Sequence, residues 1–170
     1  MNTTTVYDLI ASPLGTLRLA ATPEGLAGIF FIDETGMPSI GKGWDHDPAA
    51  PALRRAATQL GEYFAGLRRV FDLPLAPSGT PFQHDVWKAI ATVPAGETIS
   101  YTELARRAGH AGSFRAVGAA TGRNPLAIVV PCHRIVGADG SLTGYAGGLP
   151  RKRALLALEG AAQPQLALPV

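Results

Sequence analysis

Apolar residues in the first seventy positions fall into short runs broken by turn formers. Residues 6–10, 16–21 and 26–32 are rich in β-branched and apolar side chains, and Gly15 and Pro23-Glu24-Gly25 separate them. That spacing predicts three strands in an antiparallel meander. Residues 33–51 contain Gly36, Pro38, Gly41, Gly43, Pro48 and Pro51 and read as a loop. Leu53, Ala57, Leu60 and Phe64 then recur at helical spacing, which predicts a helix over 52–65 stopped by Gly66. Residues 70–73 are expected to form a last edge strand before Pro74. Residues 75–81 carry Pro and Gly without a packed pattern, so a domain boundary is expected there.

From residue 82 the period changes. Phe82, Val86, Ala89 and Ile90 lie on one helical stripe. Ser100 and Glu103 have the spacing of a capping box, opening a helix with Leu104, Ala105 and Ala108 that ends at Gly109. After His110-Ala111-Gly112, Ser113 is expected to cap a second helix with Ala116, Val117 and Ala120 that ends at Gly122. Helix, short glycine-bearing turn, helix is the helix-turn-helix pattern, and also that of two ordinary packed helices. Arg115 favours the former. A cation in the first turn opposes the helix dipole, and that turn is where a recognition helix presents side chains to DNA. A last helix is expected over 150–159, with proline at its start and Gly160 past its end. Arg151-Lys152-Arg153 reads either as a phosphate-contacting cluster or as a solvated helix start.

The expected fold class is therefore α/β (α+β). A small N-terminal antiparallel-sheet domain with a helix spans 1–78. A mainly helical C-terminal domain containing the helix-turn-helix spans 79–162, and a flexible tail spans 163–170.

Composition narrows the function classes. The chain has 170 residues, 46% hydrophobic and 16% charged, which is the balance of a globular protein and not of a disordered one. No run approaches the roughly 20 apolar residues of a membrane span, and no secretory signal precedes the first strand. With one cysteine, this fits a cytoplasmic, reducing setting. The net charge of +2 hides an asymmetry. Residues 1–80 carry 6 Lys+Arg against 8 Asp+Glu, and residues 81–170 carry 9 against 5. A basic second half points to a polyanionic partner or to a solvated basic face.

The sole cysteine, Cys132, lies in Pro131-Cys132-His133-Arg134 after the apolar Ile128-Val129-Val130. A lone cysteine forms no internal disulfide, so its chemistry is that of a thiol. Most such cysteines are small core hydrophobes. Here proline interrupts the apolar run, and an imidazole and a guanidinium follow directly, which reads as a positioned thiol at a pocket mouth. Glu159 adds a carboxylate in the last turn of the final helix, where the dipole disfavours it by about 0.3–1 kcal/mol. It shares a face with Leu155, so it needs a buried partner, and a histidine suits. Thiol, imidazole and carboxylate make an activated nucleophile for either acyl transfer or alkyl transfer to sulfur. His46, His84 and His110 read as surface or capping residues, and no metal-ligand spacing is present.

The run from Asn124 through Gly137, together with Gly140–Leu149, Leu155–Gly160, Ile99-Ser100-Tyr101 and Arg115–Gly118, resembles the O6-alkylguanine-DNA alkyltransferases (methylated-DNA–protein-cysteine methyltransferases). The likeness covers about residues 80–160, and the first half matches only in size and coarse pattern. It implies DNA repair by direct reversal: one irreversible transfer of the alkyl group from O6-methylguanine, with O4-methylthymine a further candidate, in a flipped-out base. Cys132 would be the acceptor, activated by His133 through a water and by Glu159. Asn124 would brace the turn before the active-site segment. Arg115 would fill the space left by the extruded base, and Tyr101 would crowd the target phosphate and face the base. Tyr145 would wall the pocket and the backbone at Ala146 would donate to the lesion oxygen. The carbonyls of Cys132 and Ile135 would accept from the guanine amino group, and Arg134 counts with the DNA- or substrate-binding residues.

The implied partner is double-stranded DNA containing O6-alkylguanine. No membrane, obligate protein partner, cofactor or metal is implied, and the chain would act as a monomer. Phe114 departs from the pattern, since a smaller residue is expected before the finger arginine. A damage-binding protein without chemistry and a cysteine hydrolase are the competing readings; Cys132 argues against the first and the lack of a legible oxyanion hole against the second.

Overall fold

Strands β1 (Thr5–Ile10), β2 (Leu17–Thr22) and β3 (Gly25–Phe31) form the expected antiparallel meander in a computed structural model that describes residues 4–34 and 43–161. The expected tail and the middle of the expected 33–51 loop lie outside the described residues. The chain divides into two units, Met1–Ser78 and Gly79–Val170.

In the first unit a fourth strand, β4 (Trp44–His46), pairs parallel to β1, giving the order β3-β2-β1-β4. The loop expected over 33–51 therefore contains a strand. Its reason is a side chain on β2. Arg18 is only 3% exposed, and its guanidinium lies 5.1 Å from the Trp44 ring and 5.5 Å from that of Phe30, its cross-strand neighbour. Two aromatic faces cover the buried cation, an attraction no periodicity in a three-residue strand announces. Leu17, Leu19 and Ala21, alternating with Arg18 along β2, are buried, and α1 (Pro51–Phe64) contacts this strand.

The buried face of α1 is Leu53, Ala56, Gln59, Leu60 and Tyr63, so it is turned from the expected one; Ala57 and Phe64 are half-buried. Gln59 faces inward because its amide serves the return segment: Nε2 donates to the Asp72 carbonyl at 3.0 Å and Oε1 accepts from the Asp72 amide at 2.9 Å. The edge strand expected over 70–73 does not form. A side-chain amide holds that stretch, and the chain meets β3 only afterwards, through a single bridge from Leu75 to Leu26.

The second unit contains α2 (Pro81–Ile90), β5 (Ile99–Ser100), α3 (Tyr101–Arg107), α4 (Phe114–Gly122), β6 (Ile135–Val136) and α5 (Leu149–Leu158), with a 3-10 turn at Cys132–Arg134. The reciprocal capping box is at α2, where Thr80 Oγ1 accepts from the Gln83 amide and Gln83 Oε1 from the Thr80 amide. At α3 only half forms. Ser100 Oγ accepts from the Glu103 amide, but Glu103 turns its carboxylate to Arg106 and Arg107. Ser113 makes no side-chain cap to α4. Helices α2, α3 and α4 share a core of Val86, Ile90, Leu104, Ala105, Val117 and Ala120. Trp87 locks it, donating from Nε1 to the Ala120 carbonyl at 2.9 Å. Among the described residues no helix is long and apolar enough to cross a membrane.

Trp87→Phe keeps an aromatic ring but removes the indole N–H, leaving the Ala120 carbonyl with the Arg123 amide alone at 3.2 Å. It should lower the unfolding free energy by about 0.5–1.5 kcal/mol, read from a urea titration followed by circular dichroism.

Candidate active site

The segment that delivers Cys132 is bent twice. The Val129 amide donates to the Ala127 carbonyl at 2.8 Å, a γ-turn whose central residue, Ile128, has φ +75°. A buried β-branched residue in that region costs about 1–3 kcal/mol and persists only where its surroundings over-determine it. A second γ-turn is centred on Pro131 (φ −83°, ψ 65°), with the Cys132 amide donating to the Val130 carbonyl at 2.8 Å. Asn124, nearly buried, fastens both ends of this loop: Oδ1 accepts from the Leu126 amide at 3.0 Å and Nδ2 donates to the Val130 carbonyl at 2.8 Å.

Cys132 is half-buried, and His133 beside it is wholly buried. His133 Nε2 lies 2.8 Å from Glu159 Oε2. Glu159, at the C-cap of α5, is also buried, and Arg134 grips both of its oxygens: Nε to Oε1 and Nη2 to Oε2, each at 2.8 Å. Arg134 Nη1 donates to the Val93 carbonyl at 2.6 Å. A carboxylate so held is ionised and acceptor-only, so His133 Nε2 carries the proton that points to it and Nδ1 is left with its lone pair. Nδ1 is buried and has no hydrogen-bond partner. Burial pushes the His133 pKa down, outweighing the Glu159 contact, while Arg134 and Lys152 push the same way as burial.

Arg134 is thus an internal counterion. The expectation that it touches DNA or substrate is corrected: it is 5% exposed and all three of its nitrogens face protein acceptors. Lys152 is corrected likewise. It is neither a phosphate contact nor solvated, because it is fully buried and its Nζ donates to the carbonyls of Ile135, Thr143 and Gly144 at 2.6, 2.7 and 3.1 Å. Three acceptors call for three N–H groups, hence an ammonium. Burial lowers its pKa to about 8, and the charge of Cys132 opposes that fall. The coupling is mutual, so Lys152 favours the thiolate. Two of the nine cations of the basic half therefore point inward.

The Tyr101 hydroxyl donates to the Thr143 carbonyl at 3.4 Å, and burial raises its pKa. Ile135 is buried, its amide on the Cys132 carbonyl and its own carbonyl on Lys152. Tyr145 and Ala146 are half-buried in the loop before α5. Arg115 is exposed in the first turn of α4. Among the described residues, no group of three or more His, Cys, Asp or Glu could hold a metal ion. His46 and His110 each lie 3.0 Å from an aspartate, Asp8 and Asp85.

Residues 5–77 match the ribonuclease-like domain of 6-O-methylguanine DNA methyltransferase, and residues 81–161 match its DNA-binding domain. The chain belongs to the 6-O-methylguanine DNA methyltransferase family. It is 51% identical over 153 residues to a methylated-DNA–protein-cysteine methyltransferase of Mycolicibacterium paratuberculosis, covering 90% of this chain and 91% of that one. A Methanosarcina barkeri protein of the same name is 47% identical, covering 90% and 96%. Among solved structures, Mycobacterium tuberculosis OGT in complex with DNA aligns at a TM-score of 0.84 with 48% identity, covering 91% of this chain and 92% of that chain. The relation to this methyltransferase family extends through the first unit, where the sequence alone offered only size and coarse pattern.

Sequence reasoning missed two members of the site: Lys152, disguised between two arginines of which Arg153 is exposed and Arg151 half-buried, and Arg134 as the second partner of Glu159. The inward-facing Leu155 and Leu156 flanking the Lys152 turn were the available signal.

Two outcomes are expected. Arg134→Met leaves a buried carboxylate without its fork and should cost about 3–5 kcal/mol of stability in denaturant titration. The lowered His133 pKa means that the unfolded chain binds more protons just below the ordinary value of about 6.5. Stability is then complete above that value and is lost as pH falls towards the folded pKa. His133→Asn should flatten the pH profile of unfolding free energy below about pH 6.5; an unchanged slope there would contradict the assignment.

Proposed function

We propose that this chain repairs DNA by direct reversal, moving the alkyl group of O6-methylguanine onto Cys132 once and irreversibly. The observation that carries this reading is the buried Nδ1 lone pair of His133, created by the Arg134–Glu159 ion pair next to the only thiol. Its relatives' names, and the DNA bound to OGT, support the reaction and the partner.

An O6 substituent is out of reach inside a duplex, so the nucleotide must rotate out, at a cost of a few kcal/mol. Arg115, exposed at the start of α4, occupies the vacated stack, and phosphate contacts offset the cost. Tyr101 faces the extruded base, Tyr145 walls it, and the amides near Ala146 donate to the lesion oxygen. The carbonyls of Cys132 and Ile135 read the exocyclic amine; Ile135 does so with the lone pair that Lys152 leaves.

The thiol proton passes through a water to His133 Nδ1, and Glu159 stabilises the imidazolium through Nε2. Sulfur, ionised beside Lys152, attacks the methyl carbon. The S–C bond forms as the C–O6 bond breaks, and the electron pair returns to the purine. The proton that left the thiol is matched by one taken up by guanine, so the products are unmodified guanine and S-methylcysteine. A thioether is not hydrolysed under these conditions, so the protein is consumed. No cofactor enters the balance, since the lesion is the donor. Asn124 holds the loop that presents the sulfur. The reaction suits a monomer of the cytoplasm acting on double-stranded DNA.

Intact mass after incubation with duplex O6-methylguanine should rise by one methyl per chain, on Cys132. Release of the modified base or repeated turnover would refute the proposal. Cys132→Ala should abolish transfer and keep duplex affinity, since phosphate contacts dominate binding. Arg115→Ala should slow repair of duplex more than reaction with the free modified base; equal losses would exclude a role in the stack.

A further inference from the structure

Phe114 opens α4 directly before Arg115 and is 54% exposed, more than Leu149 or Leu158, the other exposed large apolar residues described in this unit. No aromatic ring among the described residues packs on it. It does nothing for the helix start, where a small or acidic residue serves better. Burial elsewhere in α4 is complete without it, through Val117 and Ala120. Beside it lies a shallow depression of about 510 Å³ lined by Tyr101, Thr102, Phe114, Arg115, Gly118 and Ala138. Gly118 contributes to the hollow, since a Cβ there would meet only Tyr101, at 3.9 Å.

We propose that Phe114 is an apolar wedge that presses on the base pair flanking the extruded nucleotide, with Arg115 filling the vacated stack beside it. This rests on the function proposed above. The chemistry fits one occupant. The surface joins a cation to an aromatic ring at the first turn of a helix-turn-helix recognition helix, the end that enters a groove. Phenylalanine and other apolar side chains are inserted between base steps by proteins that kink DNA, and an aromatic ring stacks on any base without reading its sequence. Phe114 thereby lowers the cost of opening the stack for every sequence context, whereas Arg115 alone would have to hold it open.

The test uses the full chain with Phe114→Ala and Phe114→Leu. Single-turnover methyl transfer is measured on duplex O6-methylguanine and on the free modified base, and duplex affinity across a salt series. Phe114→Ala should slow the duplex reaction about tenfold while leaving the free-base reaction and thermal melting unchanged. Phe114→Leu should retain most of the duplex rate, because an aliphatic wedge also parts base steps. Affinity of Phe114→Ala should fall equally at all salt concentrations, because the ring neutralises no phosphate. An unchanged duplex rate, equal losses on duplex and free base, or a reduced salt slope would each overturn the wedge. If the unaltered protein failed to take up a methyl group, the proposed function would fall. The wedge would then stand or fall on the affinity measurement alone.

Discussion

One buried carboxylate organises the second unit. Glu159 sits where the helix dipole repels it and where water cannot solvate it, so it is tolerable only because both oxygens are met. Arg134 meets them with a fork and His133 with a single N–H. The arrangement joins the C-terminus of α5 to the 3-10 turn that bears the thiol, and Arg134 extends it to the Val93 carbonyl after α2. It also decides chemistry. An ionised Glu159 sets the imidazole tautomer, and the tautomer leaves Nδ1 with its lone pair. The same ion pair thus holds the turn in place and leaves a buried, unmet acceptor on the imidazole next to the thiol.

The surrounding parts convert that anchor into a presented sulfur. The two γ-turns at Ile128 and Pro131 bring the chain sharply out of the core, so that Cys132 is half-exposed while its neighbour His133 is wholly buried. Asn124 over-determines the strained loop by holding its two ends. Lys152 ties the segment after the cysteine to the loop at 143–144 and places a positive charge near the sulfur. Strain, counterion and clasp all lie within some ten residues of the thiol in sequence or one contact away in space.

Much of this was legible from residue types. The three-strand meander and five helices follow from period and punctuation, because Gly15, Gly66, Gly109, Gly122 and Gly160 mark ends that the backbone respects. Glu159 was conspicuous because it sits on an inward face at an unfavourable helix end. Other features were hidden for identifiable reasons. The strand at Trp44 depends on a cation two strands away, the stretch at Asp72 on an amide thirteen residues back, and neither leaves a periodic trace. Lys152 looked like the middle of a solvated basic run, since composition says nothing about which of three cations turns inward.

By itself the sequence determined which groups are available and where chain direction changes: a single thiol beside an imidazole, a carboxylate facing inward, a cation in the first turn of α4. Local pattern carries these because hydrophobic period and turn chemistry act between near neighbours. Only the tertiary structure decided who partners whom. Whether Arg134 and Lys152 reach solvent or acceptors depends on groups eight to forty-one residues away, from Gly144 and Ile135 for Lys152 to Val93 for Arg134. A buried charge takes whatever acceptors the folded chain brings within hydrogen-bond reach, and no linear pattern encodes that distance.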